Sequence, residues 1–211
     1  MRHISPDLQD ALSDRAREHY STVLPYHNWE QARDTMSVAA RFAVHSDHPE
    51  ITDNGPLLII SAAWQGADYY MPDNYKFASK EERAAAAALQ SLPELWDEDR
   101  ELLASGIIDT DVAKTAKDTL FGNALYIATQ GYFAGSNKHF VKRIRRIREE
   151  LKEVPWELTV ERTKTLGAQV LAESEKPIFE ILPNDEAEQW LESIQENLDY
   201  LQHKFDSNKL T

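Results

Sequence analysis

The sequence predicts an all-α protein folded as a single helical bundle. Three observations carry this. Apolar residues recur at three- and four-residue spacing in segment after segment, the period of a helix with one buried face. Helix-start signatures, a short polar cap with Gln or Glu three residues on, stand before two of those segments. No segment alternates with the two-residue period of a strand. Glycine is scarce, at 7 of 211 residues, while alanine, leucine, glutamate and arginine are plentiful. No repeat, low-complexity tract or linker divides the chain, so residues 1–211 read as one domain long enough to bury a large core.

The elements follow in order. "SPDLQDALSDRA" opens with Ser5 as cap and Pro6 in the first turn, and Leu8, Leu12 and Ala16 share a face. "YHNWEQARDTMSVAARFA" pairs Asn28 with Gln31 as a capping box before the stripe Trp29, Ala32, Met36, Ala39, Ala43. "HSDHPEITDNGP" reads as a loop. Leu57 to Trp64 is apolar on all sides and predicts a central buried helix. After the connection "MPDNYKFASK", Ser79 and Glu82 form a second capping box before an alanine-rich helix. "WDEDRELLAS" and "DTDVAKTAKDTLFGNALYIATQGYF" supply further helices, the latter capped by Asp109 or Thr110 and punctuated by Gly122 and Gly131. "NKHFVKRIRRIREELKEV" carries Phe140, Ile144, Ile147 and Leu151 on one face. "WELTVERTKTLGAQVLAE" and "NDEAEQWLESIQENLDYLQHKF" complete the set.

Composition excludes several classes. There are no cysteines, so disulfides, thiol nucleophiles and cysteine metal sites are ruled out. The net charge of −13 is a poor match for a nucleic-acid backbone, which rewards clustered Lys and Arg. "MRHISPDLQD" lacks a signal-peptide core, and no apolar run approaches the roughly 20 residues of a membrane span. The expectation is a soluble, cytoplasmic protein with neither nucleic-acid nor membrane partners.

One local feature resists a bland account. In "PLLIISAAWQGADYY" an apolar run stops at Gln65-Gly66 and resumes with aromatics. A glutamine amide beside eight apolar residues must find partners or cost about 1–3 kcal/mol. Gly66 has a simple structural reading as a helix C-cap; it would also remove bulk and enlarge a cavity.

Together with "YHNWEQA", "KEERAAAA", "NALYIATQGYFAG" and the segments "RIREELKEVPW", "ERTKTLGAQVL" and "KPIF", this stretch resembles the HD superfamily of metal-dependent phosphohydrolases. The resemblance covers most of the chain and implies a helical bundle of the HD-domain type. Enzymes of that family hold a metal with a His, an adjacent His-Asp pair and a distant Asp. The metal polarises a phosphoryl oxygen and makes hydroxide from bound water. Carried over residue by residue, the first ligand falls on Gln31, the pair on Gln65 and Gly66, and the last on Thr129. None of these is a histidine or carboxylate. The resemblance therefore implies that the usual divalent metal is absent and that no cofactor replaces it.

The remaining candidates have structural and functional readings side by side. Gln31 is explained by its capping box or by a cavity wall. His27 precedes a helix cap, and the family places it at the site mouth. Asp68 pairs with a surface arginine or faces the cavity as a base or substitute ligand. Trp64 and Tyr69 flank the altered pair, as core residues or as walls of a pocket for a flat or apolar ligand. His45 and His48 sit in a polar loop, and His3, His139 and His203 are isolated. The basic run Lys138 to Lys152 pairs with acidic Glu186, Glu188, Glu192 and Glu196 of the last helix, or else turns Lys138, Arg145 or Arg148 into the cavity as an anion site.

Three functions compete. The first is an HD-like protein that binds a small molecule or a partner without hydrolysis, with a small anionic ligand, a protein partner and a homodimer all open. The second is a metal-independent enzyme using His27 or Asp68 for acid–base work. The third is a residual phosphohydrolase with a shifted metal site.

Overall fold

In the computed structural model, residues 4–70, 77–114, 117 and 119–210 are described; His3 and residues 71–76 of the connection after "SAAWQGADYY" lie outside them. The described residues form eleven α-helices and no strand. They are α1 (Pro6–Arg15), α2 (Trp29–His45), α3 (Pro49–Thr52), α4 (Gly55–Trp64), α5 (Lys80–Ser91), α6 (Asp97–Asp109), α7 (Leu120–Thr129), α8 (Asn137–Glu150), α9 (Trp156–Ser174), α10 (Pro177–Ile181) and α11 (Asn184–Asp206). Short 3-10 turns follow α1 (Ala16–His19) and α7 (Gly131–Ala134). The fold is all-α. No described helix is long and apolar enough to cross a membrane.

The predicted central helix is α4. It packs against α1, α2, α6 and α7, and Leu58, Ile60, Ala62, Ala63 and Trp64 are fully buried. Its approach to α2 is so close that a Cβ on Gly55 would lie 2.8 Å from the Cβ of Ala43. Helices α8 to α11 form a second group, joined to the first through α7 and the 3-10 turn that follows it.

Caps decide where several helices start. The Ser5 hydroxyl accepts from the Leu8 N–H, and Ser79 accepts from Glu82. Glu82 returns its carboxylate to the N–H of Ala78 rather than of Ser79. Asn28 accepts from the N–H groups of Glu30 and Gln31 at 2.9 and 3.3 Å. The Gln31 side chain does not complete that box, because the Asn28 N–H already donates to the Tyr26 carbonyl.

Four expectations are corrected. Asp109 ends α6 and Thr110 is its C-cap, so neither starts α7, whose cap is Thr119, accepting from Gly122. Gly122 lies inside α7. The loop around Pro49 contains α3, capped by the His48 ring, which accepts from the Glu50 N–H. The cations of α8 do not pair with the acids of α11. Lys142 and Arg146 reach Glu30 and Arg143 reaches Asp34, both on α2, while Glu186 is held by Arg41 and His45. Asn28 and Ser136 start α2 and α8; only the tertiary fold brings the long side chains of α8 within reach of Glu30 and Asp34, which periodicity does not encode.

Candidate functional site

Two neighbouring cavities, of about 270 and 370 Å³, share a partition of Tyr26, Gln31, Thr129 and Tyr132. The smaller is also walled by His27, Gln65, Gly66 and Tyr69. Five of the sequence candidates (His27, Gln31, Gln65, Gly66 and Thr129) thus meet in one space, although they come from the segment that enters α2 and its first turn, the residues just after α4 and the end of α7.

The amides meet directly. Gln65 Nε2 donates to Gln31 Oε1 at 3.4 Å, and Gln31 Nε2 donates to Thr35 Oγ1 at 3.5 Å. The capping box that Gln31 leaves incomplete frees its side chain for this wall. Thr129 Oγ1 donates to the Tyr126 carbonyl at 2.7 Å and accepts from Gln130 Nε2.

Gly66 is not a left-handed C-cap, since no glycine has a positive φ among the described residues. It is small because Tyr20 comes close. The Tyr20 hydroxyl accepts from the Gly66 N–H at 3.1 Å and donates to the Ala63 carbonyl at 2.8 Å. A Cβ at 66 would lie 3.1 Å from that oxygen and 3.5 Å from Gln31 Oε1. Burial pushes the Tyr20 hydroxyl well above its ordinary pKa, so it remains a neutral donor.

His27 is fixed from two sides. Its ring stacks on Tyr69, with centroids 3.5 Å apart and planes at 10°. Its Nδ1 lies 2.5 Å from Glu150 Oε1, and Glu150 Oε2 accepts from the backbone N–H groups of Tyr26 and His27. Burial lowers the His27 pKa, outweighing the pull of Glu150. Burial alone would raise Glu150, but the His27 hydrogen bond and charge and the two N–H groups bring it below the usual value. Both groups bind protons more readily in the unfolded chain: the His27 share of stability is present above its ordinary value of about 6.5 and is lost as pH falls below it, whereas the Glu150 share is lost only below the ordinary carboxylate range. We expect the wild type to lose more melting temperature between about pH 8 and pH 5 than His27→Gln. Equal losses would show that this pair does not set acid sensitivity.

The other candidates lie elsewhere. Asp68 turns away from the cavity: its carboxylate pairs with His19 Nδ1 at 3.1 Å, and Arg83 donates to its carbonyl. Its φ of 56° is a left-handed conformation that aspartate tolerates. Lys138 and Arg145 line a separate concavity between α8 and α11, and Arg148 lies over the ring of Trp156. Sequence reasoning missed Glu81 and Glu150. Glu81 lines the smaller cavity, nearly buried, and burial raises its pKa despite Lys80 at 3.8 Å. In the sequence it is simply an acid in a first helical turn. Glu150 stands 123 positions from His27, with no local signal to join them.

Among the described residues, no three His, Asp or Glu side chains are grouped so as to hold a metal ion. What the smaller cavity offers is hydrogen bonding in both directions from amides and a hydroxyl, an oriented imidazole, a Lys80–Glu81 pair and aromatic walls. No protein-family model matches the chain, and no curated protein matches it.

Proposed function

We propose that this chain is an HD-type helical protein whose metal position has become a neutral cavity, and that it binds a small polar molecule there without hydrolysing it, in a regulatory or interaction role. The observation that carries this is the Gln31–Gln65 amide contact in the cavity wall beside Gly66 and Thr129. These are the four positions to which the resemblance assigns the metal ligands. Amides that meet in a cavity wall can each offer a further donor or acceptor to a guest.

The test is a thermal-shift panel of nucleosides, nucleotides and phosphorylated metabolites, run with chelator and again with manganese, nickel or zinc. A ligand at about 100 times its Kd stabilises the folded state by about 2.7 kcal/mol. We expect such a shift in chelator, and its loss in Gln65→Leu. Stabilisation that requires metal and is accompanied by phosphate release would replace this reading with a phosphohydrolase.

A second reading, metal-free acid–base catalysis, is favoured by the His27–Glu150 pair. With Nδ1–H donating its hydrogen bond to the Glu150 carboxylate, Nε2 is left unprotonated as a base. Turnover that survives chelator and disappears in His27→Ala would establish it.

A further inference from the structure

The concavity between α8 and α11, about 410 Å³ in volume, is lined by six cations and a single carboxylate, Glu149. This concentration occurs on a chain of net charge −13. Lys138, Lys142, Arg145 and Arg146 come from α8, and Lys204 and Lys209 from α11 and the turn after it.

The turn that completes the concavity is specific. Asn208 adopts a left-handed φ of 57°, and the Lys209 N–H donates back to the Lys204 carbonyl at 2.9 Å, the closing bond of a Schellman turn. Arg145 then donates to the carbonyls of Lys209 and Leu210. Arg145 is thereby a wall and not a free ligand. Lys142 and Arg146 are engaged by Glu30. Lys204 lies over the Tyr200 ring at 5.1 Å. Among the described residues, the ammonium groups of Lys138 and Lys209 make no hydrogen bond or ion pair, and both residues are exposed. Three ammonium groups thus border one hollow with their donors uncommitted to carboxylates.

We propose that this groove is a second binding site, separate from the central cavity, for a small molecule carrying two or more phosphate groups. Ammonium ions are compact point charges suited to an anion with many oxygens, and charges converging on a concave surface reinforce one another. The surroundings argue against a long polyanion. Glu192 and Glu196 lie four and eight residues before Tyr200, on the same helical row, and are exposed. A nucleic-acid strand or an anionic membrane extending along α11 would meet those carboxylates.

The experiment is calorimetric titration of the full chain with tripolyphosphate at low ionic strength, with inorganic phosphate alongside. We expect saturable 1:1 binding, at least tenfold tighter than inorganic phosphate. It should weaken severalfold as salt rises from about 50 to about 200 mM, because exposed charges are screened. The variant K138A/K204A/K209A, which changes two exposed lysines and one partly buried one, should lose at least tenfold in affinity while keeping its melting temperature. K176E, a charge reversal on another exposed lysine, should lose less than twofold. Absence of saturable binding, an equal loss in K176E, or tighter capture of duplex DNA or anionic vesicles by this groove would overturn the proposal.

Discussion

Trp64→Ala is expected to destabilise the protein by about 3–5 kcal/mol, the range for removing a large aromatic side chain from a packed core. Trp64 is fully buried at the end of α4. Its Nε1 donates to the Leu12 carbonyl at 3.1 Å, and its ring packs on His19. Truncation leaves a void where α1 meets α4 and orphans a carbonyl. For a domain of this size each kcal/mol is worth about 2–4 °C in Tm, so a fall of roughly 6–20 °C should appear in thermal unfolding. Trp64→Phe should cost less, because most of the packing remains. A loss under about 1 kcal/mol in the alanine variant would show that α1 does not depend on this anchor.

The second large effect is expected at Asp34. Arg143 is only 2 % exposed, and its charge partner on α2 is Asp34, which is 41 % exposed. The His139 ring lies beside both. Removing one member of a buried pair strands the other charge and costs about 3–5 kcal/mol. Partial exposure of Asp34 brings the expected cost of Asp34→Ala down to about 2–3 kcal/mol. Arg143→Met should be milder, since it leaves an exposable carboxylate and keeps an apolar stem. The double variant should be more stable than Asp34→Ala alone. A double-mutant cycle in denaturant measures this coupling, and strictly additive losses would rule out the pair as a link between α2 and α8.

Much of the helical architecture was legible because it is written locally. Ser5, Asn28 and Ser79 cap the helices they introduce, and the unbroken apolar run at Leu57–Trp64 became the buried centre. What failed required long-range information. Thr119 caps α7 in place of Asp109 or Thr110, because α6 continues through a sequence that reads as its end. The charges of α8 found Glu30 and Asp34, over 100 positions away, where a charge count had matched them to α11. At the site, Gln31, Gln65, Gly66, Thr129 and His27 were named from the sequence and converge. Glu81 and Glu150 were not named, since an acid in a helical turn carries no mark of the partner that will bury it. Asp68 left the set because its backbone turns into the left-handed region and carries its carboxylate to His19.

The contact between Tyr20 and Gly66 also bears on how this protein can change over time. The phenol crowds the space that a side chain at position 66 would need, 3.1 Å from where its Cβ would lie, and it ties down both the Ala63 carbonyl and the Gly66 N–H. A substitution at 66 made first must push the ring aside. A substitution at 20 made first must give up two buried hydrogen bonds. Each single step is disfavoured, and a joint change still gives up the two hydrogen bonds but relieves the crowding between the two side chains. The two positions therefore act as a ratchet, and relatives of this chain that carry a side chain at position 66 should also carry a smaller residue at position 20.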